Sequence, residues 1–285
     1  MFAITGMTGQ VGGALGHALL AAGQQVRAIV RDPAKGADWS KHGAQWMQAG
    51  MDDVSALGKA FAGAEGVFVM LPPNFDPSPG FPESRAIIDT LRQALVHAMP
   101  KKVVALSTIG AHTPTENLLS QLSLMEQAFS DLPMPVTFLR PAWFMENALW
   151  DIAPAKESGV IPSFLQPLER KIPMVATADV GQTAARLLQE TWSGRRIVEL
   201  EGPERIAPLD IARCLARLLG RDVRADAVPR ATWEALFRRE GFQNPLPRMQ
   251  MLDGFNRGDL IFEGQPVTGN VTLDTVLRTL LARAG

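Results

Sequence analysis

The chain has no tyrosine among its 285 residues, and it has a single cysteine, Cys214. A lone cysteine excludes an intramolecular disulfide and any cysteine framework for a metal. Cys214 lies in an apolar helical pattern with Ile211, Leu215, Leu218 and Leu219. A small core residue is therefore the expectation, with a reactive thiol as the alternative. An excess of either charge is also missing. The formal net charge is −1, which argues against nucleic acid or an anionic membrane surface as partner, because phosphate binding needs a clustered basic excess. No uninterrupted apolar run approaches the ~20 residues of a membrane helix. No basic stretch followed by an apolar run precedes the first strand, so no secretory leader is expected and the cytoplasm is the expected location. None of the four histidines (His17, His42, His97 and His112) stands at a metal-type spacing from another ligand, so no metal is expected.

What remains is ordinary for a globular protein: 46% hydrophobic and 20% charged residues. The length allows two domains, or one large α/β domain with an appendage. Short apolar strands are expected at residues 2–5, 26–30, 44–48, 66–71, 103–107 and 136–140. Helical patterns fall at 11–22, 54–61, 84–98 and 118–130. This alternation predicts an α/β fold, a doubly wound parallel sheet of the Rossmann type covered on both faces. Residues 141–175 are rich in Trp, Phe and Pro, which suggests loops lining a pocket. A helix over 178–191, a strand over 197–200 that returns to the sheet, and a helix over 209–219 ended by Gly220 follow. The remainder reads as a small helical region with connections at Pro245, Pro247 and Pro266. Residues 1–150 and 176–202 are thus assigned to a dinucleotide-binding domain. Residues 151–175 and 203–285 are assigned to a smaller, mainly helical substrate or lid region.

The most specific local signal lies at the start. Residues 5–12 read Thr-Gly-Met-Thr-Gly-Gln-Val-Gly, placing Gly6, Gly9 and Gly12 directly after a strand and at the opening of a helix. Such a turn bends sharply at Gly6, brings backbone to a pyrophosphate at Gly9, and packs helix against sheet at Gly12. The helix N-terminus offers free N–H groups and partial positive charge. The expected phosphate contacts are Gly6, Met7, Thr8, Gly9, Gln10 and Val11. At the end of the second strand stands Arg31, followed by Asp32 and Lys35. An acidic residue there would hold the ribose hydroxyls of NAD(H), whereas an arginine accommodates the 2′-phosphate of NADP(H). Arg31 therefore favours NADP(H) over NAD(H); the alternative is a solvated Arg31 paired with Asp32.

Several segments together resemble the NmrA-like branch of the atypical short-chain dehydrogenases. They are ITGMTGQVG, VRAIVRDPAK, DDVSALGKAFAGAEGVFVMLPPN, VVALSTIGA, FLRPAWFMEN, ADVGQTAARLL and GNVTLDTVLRTLL. The resemblance implies NADP(H) across the strand ends. Met70, Leu71 and Pro72 would border the adenosine and nicotinamide riboses, and Ser107 and Thr108 would lie beneath the nicotinamide. Pro141, Trp143, Phe144 and Asn147 would line the substrate side. Two departures stand out. The family usually has Gly-Asp after the third strand, near the adenine, where this chain has Ala49-Gly50, with Asp52 and Asp53 following. Ordinary short-chain dehydrogenases also use a Tyr-x-x-x-Lys pair. Aligning Glu126 with the family's acidic residue puts Leu118 and Leu122 at those positions.

Without that pair, alcohol dehydrogenation, epimerisation and dehydration lose their acid–base couple. Hydride transfer to a conjugated acceptor survives, because a quinone, azo dye or triphenylmethane dye delocalises the incoming charge. An NADPH-dependent reductase of such small planar acceptors is the first reading. The second is an NADP(H)-binding regulator or redox sensor with little turnover, acting on a protein partner; a homodimer fits either. No catalytic residue is assigned. Thr108 and His112 are weak candidates, His112 as a proton donor or as a solvated loop residue. Glu146 either orients a substrate with Asn147 or caps local backbone. Trp143, Phe144 and Trp150 form either an aromatic wall for the acceptor or ordinary core. Trp233 and Phe237 share a helical face and read as packing.

Overall fold

The strand β1 (Phe2–Thr5) is buried along its whole length, as is β4 (Gly66–Val69); only a strand covered on both faces reads as a continuous apolar run. Seen in a computed structural model that describes residues 1–283, the first half alternates as its pattern predicts. After β1 come α1 (Gln10–Ala21), β2 (Val26–Val30), α2 (Pro33–Lys41), β3 (Gln45–Gln48) and α3 (Val54–Phe61). After β4 come α4 (Pro82–Ala98), β5 (Val103–Leu106), α5 (Ser120–Phe129) and β6 (Val136–Pro141). The helix α2 has no counterpart in the hydrophobic pattern. Its signal is local: Asp32 caps it by accepting from the Ala34 N–H at 2.9 Å, and Pro33 starts it.

The stretch expected to be loops over 141–175 is largely ordered. It contains β7 (Trp143–Phe144), a 3-10 turn (Met145–Ala148), α6 (Leu149–Glu157), β8 (Val160–Ser163) and β9 (Ile172–Val175). The order comes from partners distant in sequence. The chain continues with α7 (Thr177–Gln189), β10 (Arg195–Glu201), β11 (Arg205–Ile206), α8 (Pro208–Leu219) and β12 (Arg224–Ala227). It ends with α9 (Trp233–Arg239), α10 (Leu246–Arg257), β13 (Val267–Thr268) and α11 (Leu273–Arg283). Strand β8 pairs with β12, and β9 lies between β7 and β11. No window of 141–175 contains those partners, so its own composition understates its order.

The main sheet has eight strands in the order β13-β10-β6-β5-β4-β1-β2-β3, and the pairings are parallel. The order reverses between β1 and β4, the switch point where this architecture opens a crevice. One face is covered by α1 and α7, which approach so closely that a Cβ on Gly181 would lie 2.5 Å from the Ala14 Cβ. The other face carries α3, α4 and α5 through Leu57, Leu91, Leu95, Met125 and Phe129. A further apolar cluster joins α6, α8, α9, α10 and α11, with Trp233 and Phe237 fully buried inside it. This mainly helical part is tied back to the sheet by β13, which pairs with β10. Among the described residues no helix is long and apolar enough to cross a membrane.

Candidate functional site

At the carboxyl end of β1 the chain turns through Gly6, whose φ of 66° lies in the left-handed region open to glycine. A Cβ on Gly12 would lie 2.2 Å from the Gly6 carbonyl oxygen, so helix and turn touch there without side chains. Gly9 caps α1 in extended conformation, with no side-chain cap and no acidic residue in the first turn. The first helical bond runs from the Gly13 N–H to the Gly9 carbonyl at 2.8 Å. The N–H groups of Gln10, Val11 and Gly12 therefore have no intrahelical acceptor. A Cβ on Gly9 would meet nothing closer than the Gly6 oxygen at 3.4 Å. Open backbone donors at a positive helix end, with no competing carboxylate, fit a pyrophosphate. Thr8 and Gln10 are exposed beside this cradle, while the Met7 and Val11 side chains turn into the core. Met7 and Val11 can thus offer a ligand only backbone.

Past the end of β2, Arg31 is exposed, and its side chain makes no hydrogen bond or ion pair among the described residues. Its carbonyl accepts from Gln48 Nε2 at 3.1 Å. The alternative pairing with Asp32 is not formed, because the Asp32 carboxylate caps α2. Asp53 is likewise committed, accepting from the Ala56 N–H at 2.9 Å to cap α3. Asp52 folds over Gly50, where its carboxylate would lie 2.4 Å from an added Cβ.

Beyond β4, Leu71 is buried and Met70 and Pro72 are half-buried. Thr5 Oγ1 receives the Met70 N–H at 3.1 Å and donates to the Phe68 carbonyl at 3.2 Å, which registers this segment on β1. Ser107, buried after β5, donates its hydroxyl to Glu126 of α5. Glu126 is gripped by Arg140 of β6 through Nε at 2.8 Å and Nη2 at 2.7 Å. Arg140 also contacts Glu263 and lies 3.8 Å from Glu199 of β10. Glu199 in turn accepts the N–H groups of Glu263 at 2.9 Å and Gly264 at 2.8 Å. Burial opposes the Arg140 charge, yet hydrogen bonds to Glu126 and Glu263 hold its pKa above the usual guanidinium value. The Arg140 hydrogen bond holds the Glu263 carboxyl below its usual range. His112 Nδ1 lies 3.5 Å from Glu263, so this candidate donor has a carboxylate neighbour. Thr108 is half-buried beside Ser107. Leu118, buried ahead of α5, and Leu122 supply neither a proton nor a cation.

On the far side of the edge, Pro141 ends β6 in a buried position. Trp143 and Phe144 of β7 are half-buried. Trp143 stands edge-on to Phe255 of α10, with ring centres 5.1 Å apart and planes at 89°. Trp150 does not join them: it is 78% exposed on α6. Asn147 is also exposed. The structure makes Glu146 a cap, though of a helix 31 residues away rather than of local backbone. Its carboxylate accepts the Thr177 N–H at 2.9 and 3.0 Å and the Thr177 hydroxyl at 2.6 Å, closing the start of α7. Burial raises its pKa against those bonds.

Sequence reasoning missed the Arg140 network and Phe255. The members of the network lie on β6, α5, β10 and the loop after α10, at separations no local pattern reports. Phe255 carries only the signal of an apolar position on a helix.

Residues 1–257 match the NmrA-like family. Quinone oxidoreductase 2 of Escherichia coli (strain K12) is 28% identical over 251 residues, covering 87% of this chain and 85% of that protein. The NAD(P)H azoreductase of Xenophilus azovorans is 26% identical over 230 residues, covering 80% and 77%. The NADPH complex of the NADPH-dependent quinone oxidoreductase from Escherichia coli superposes with a TM-score of 0.81 at 25% identity, over 100% of both chains.

Proposed function

Because this chain belongs to the NmrA-like family, we propose that it is an NADPH-dependent reductase of quinones or other planar conjugated acceptors, azo and triphenylmethane dyes among them, acting by direct hydride transfer. Its similarity to a quinone oxidoreductase and an azoreductase supports the acceptor class. Similarity to an NADPH complex over the full chain supports the cofactor.

The backbone N–H groups of Gln10, Val11 and Gly12 hold the pyrophosphate, within the turn of Gly6 to Val11. Arg31, free of Asp32, takes the 2′-phosphate. Met70, Leu71 and Pro72 border the riboses, and Ser107 and Thr108 lie beneath the nicotinamide. Pro141, Trp143, Phe144 and Asn147 face the acceptor. When bound, NADPH supplies the hydride. The chain contributes position and exclusion of water.

One observation carries this reading. The serine hydroxyl at the nicotinamide end is committed to Glu126, which Arg140 grips through two hydrogen bonds, in a chain with no tyrosine. Such a site orients but offers no strong acid, which suits acceptors that delocalise charge and take their proton from water.

The test is the loss of NADPH absorbance with purified protein and a panel of quinones and azo dyes. Turnover with part of the panel is expected. Tight NADPH binding with no turnover across the panel would overturn the reductase reading in favour of an NADP(H)-responsive regulator.

A further inference from the structure

Near this edge one cation has no anion among the described residues. Arg248, in the first turn of α10, makes no hydrogen bond and no ion pair among the described residues. Three rings surround it instead: its guanidinium carbon lies 5.9 Å from the ring centre of Phe75, 4.9 Å from Phe237 and 5.0 Å from Phe242. Phe237 is fully buried, whereas Phe75 is 56% exposed, so the cage is closed on the core side and open on the other. Burial lowers the Arg248 pKa, opposed by the charge of Glu240. Aromatic faces attract a cation, but they are no substitute for the oxygen acceptors that five N–H donors call for. A partly desolvated guanidinium with unfilled donors is costly unless an anion meets it.

The surroundings place this group at the rim of the proposed acceptor site. The Asp76 carboxylate, in the loop after β4, accepts the N–H groups of Gln243 and Asn244 at 2.7 Å each. Asn244 Nδ2 donates to the Pro77 carbonyl at 2.8 Å. The Leu118 N–H donates to the Pro247 carbonyl at 2.9 Å, and Gln121 Nε2 to the Asn74 carbonyl at 3.1 Å. These bonds clamp the β4–α4 loop, the start of α5 and the α9–α10 link around Arg248. Phe255 follows Arg248 by seven residues, so it lies on the same face of α10. Two helical turns rise about 10.5 Å, and Phe255 is the residue that meets Trp143. The buried ring that backs Trp143 and a cation with no ion pair among the described residues therefore share one helix face.

We propose that Arg248 is an anion subsite that selects acceptors bearing a carboxylate or sulfonate, while their planar body rests at half-buried Trp143, which the buried Phe255 backs from α10. That the bound molecules are acceptors rests on the reductase reading; the anion subsite does not. The guanidinium forks onto the anionic group in a setting already stripped of much of its water, where a charge-assisted pair is strong. Phe75 and Phe242 cover the ring that carries the group.

The test compares 1,4-naphthoquinone-2-sulfonate with 1,4-naphthoquinone at saturating NADPH, in the wild type, Arg248→Gln and Arg248→Lys. The ratio of kcat/KM, sulfonated over neutral, is expected to fall about tenfold or more in Arg248→Gln, as for loss of a charge-assisted bond. The change should sit in KM, and Arg248→Lys should fall between, keeping charge without the fork. An unchanged ratio in both variants overturns the subsite. So does an equal loss on both quinones, which would make the cage packing alone. Binding of anthraquinone-2-sulfonate with NADP+ present, followed by tryptophan fluorescence, is the second arm. About tenfold weaker binding in Arg248→Gln is expected. If the wild type reduces neither quinone yet shows this loss, the reductase reading fails and the subsite stands. Equal sulfonate binding in wild type and variant overturns the subsite, as does a loss confined to NADPH affinity, which would assign Arg248 to the cofactor.

Discussion

The Arg31 side chain stands exposed and, among the described residues, without a partner, because Asp32, its neighbour in sequence, caps a helix instead. A guanidinium so placed meets a phosphate without first breaking an ion pair. Arg31→Ala is therefore expected to weaken NADPH binding about tenfold or more, the scale of a charge-assisted bond, and NADH far less. Fluorescence titration with both cofactors checks this, and equal losses would show that Arg31 does not read the 2′-phosphate. The glycine turn was legible at this scale because its requirements are local: a positive φ at Gly6 and a helix N-terminus left open by Gly9. The commitment of Asp32 is local too, in the Asp-Pro that opens α2, but the expectation drawn for Asp32 was pairing with Arg31, which the cap displaces. Glu146 had two readings that the sequence could not separate, since Thr177, which decides between them, is 31 residues away.

Among the elements, α6 carries a carboxyl that helps neither its cap nor its face. Burial alone pushes the Asp151 pKa from 3.8 up to about 7. The sign follows from linkage. A carboxyl whose folded pKa is raised binds its proton more tightly in the folded chain, so its contribution to stability is fully present below about pH 4 and is lost as pH rises through about 7. Asp151→Asn is expected to raise the melting temperature at pH 8 more than at pH 5. Thermal unfolding at both pH values checks it, and an equal shift at the two would place Asp151 in solvent. The same segment shows where sequence patterns stop. Residues 141–175 read as loops because the strands β8 and β9 are short and find β12 and β11 only after folding. Trp150, grouped with Trp143 and Phe144 by composition, turns outward because Ile152 and Ala155 take the buried face of α6.

For the molecule as a whole, Arg140 is where the sheet, α5 and the chain beyond α10 meet. It holds Glu126 and Glu263, while Glu199 fastens the backbone of Glu263 and Gly264. Glu199→Ala leaves two N–H groups without their acceptor and removes a carboxylate from beside a buried guanidinium. A loss of about 3 kcal/mol is expected, measured by urea unfolding, with faster proteolysis near residue 263. A loss within 0.5 kcal/mol, the size of an ordinary surface substitution, would show that the network is solvated.

By itself the sequence determined the doubly wound sheet, the dinucleotide turn and the absence of a tyrosine acid. Each is written in neighbouring residues or in composition, where backbone geometry and hydrophobic period act over a few positions. Only the tertiary structure decided which charges are spent and which are free. It gave Glu146 to the start of α7, locked Ser107 through Glu126 to Arg140, and left Arg248 among three rings with no anion among the described residues. Those outcomes depend on burial and on partners tens to hundreds of residues apart, and no local pattern carries them.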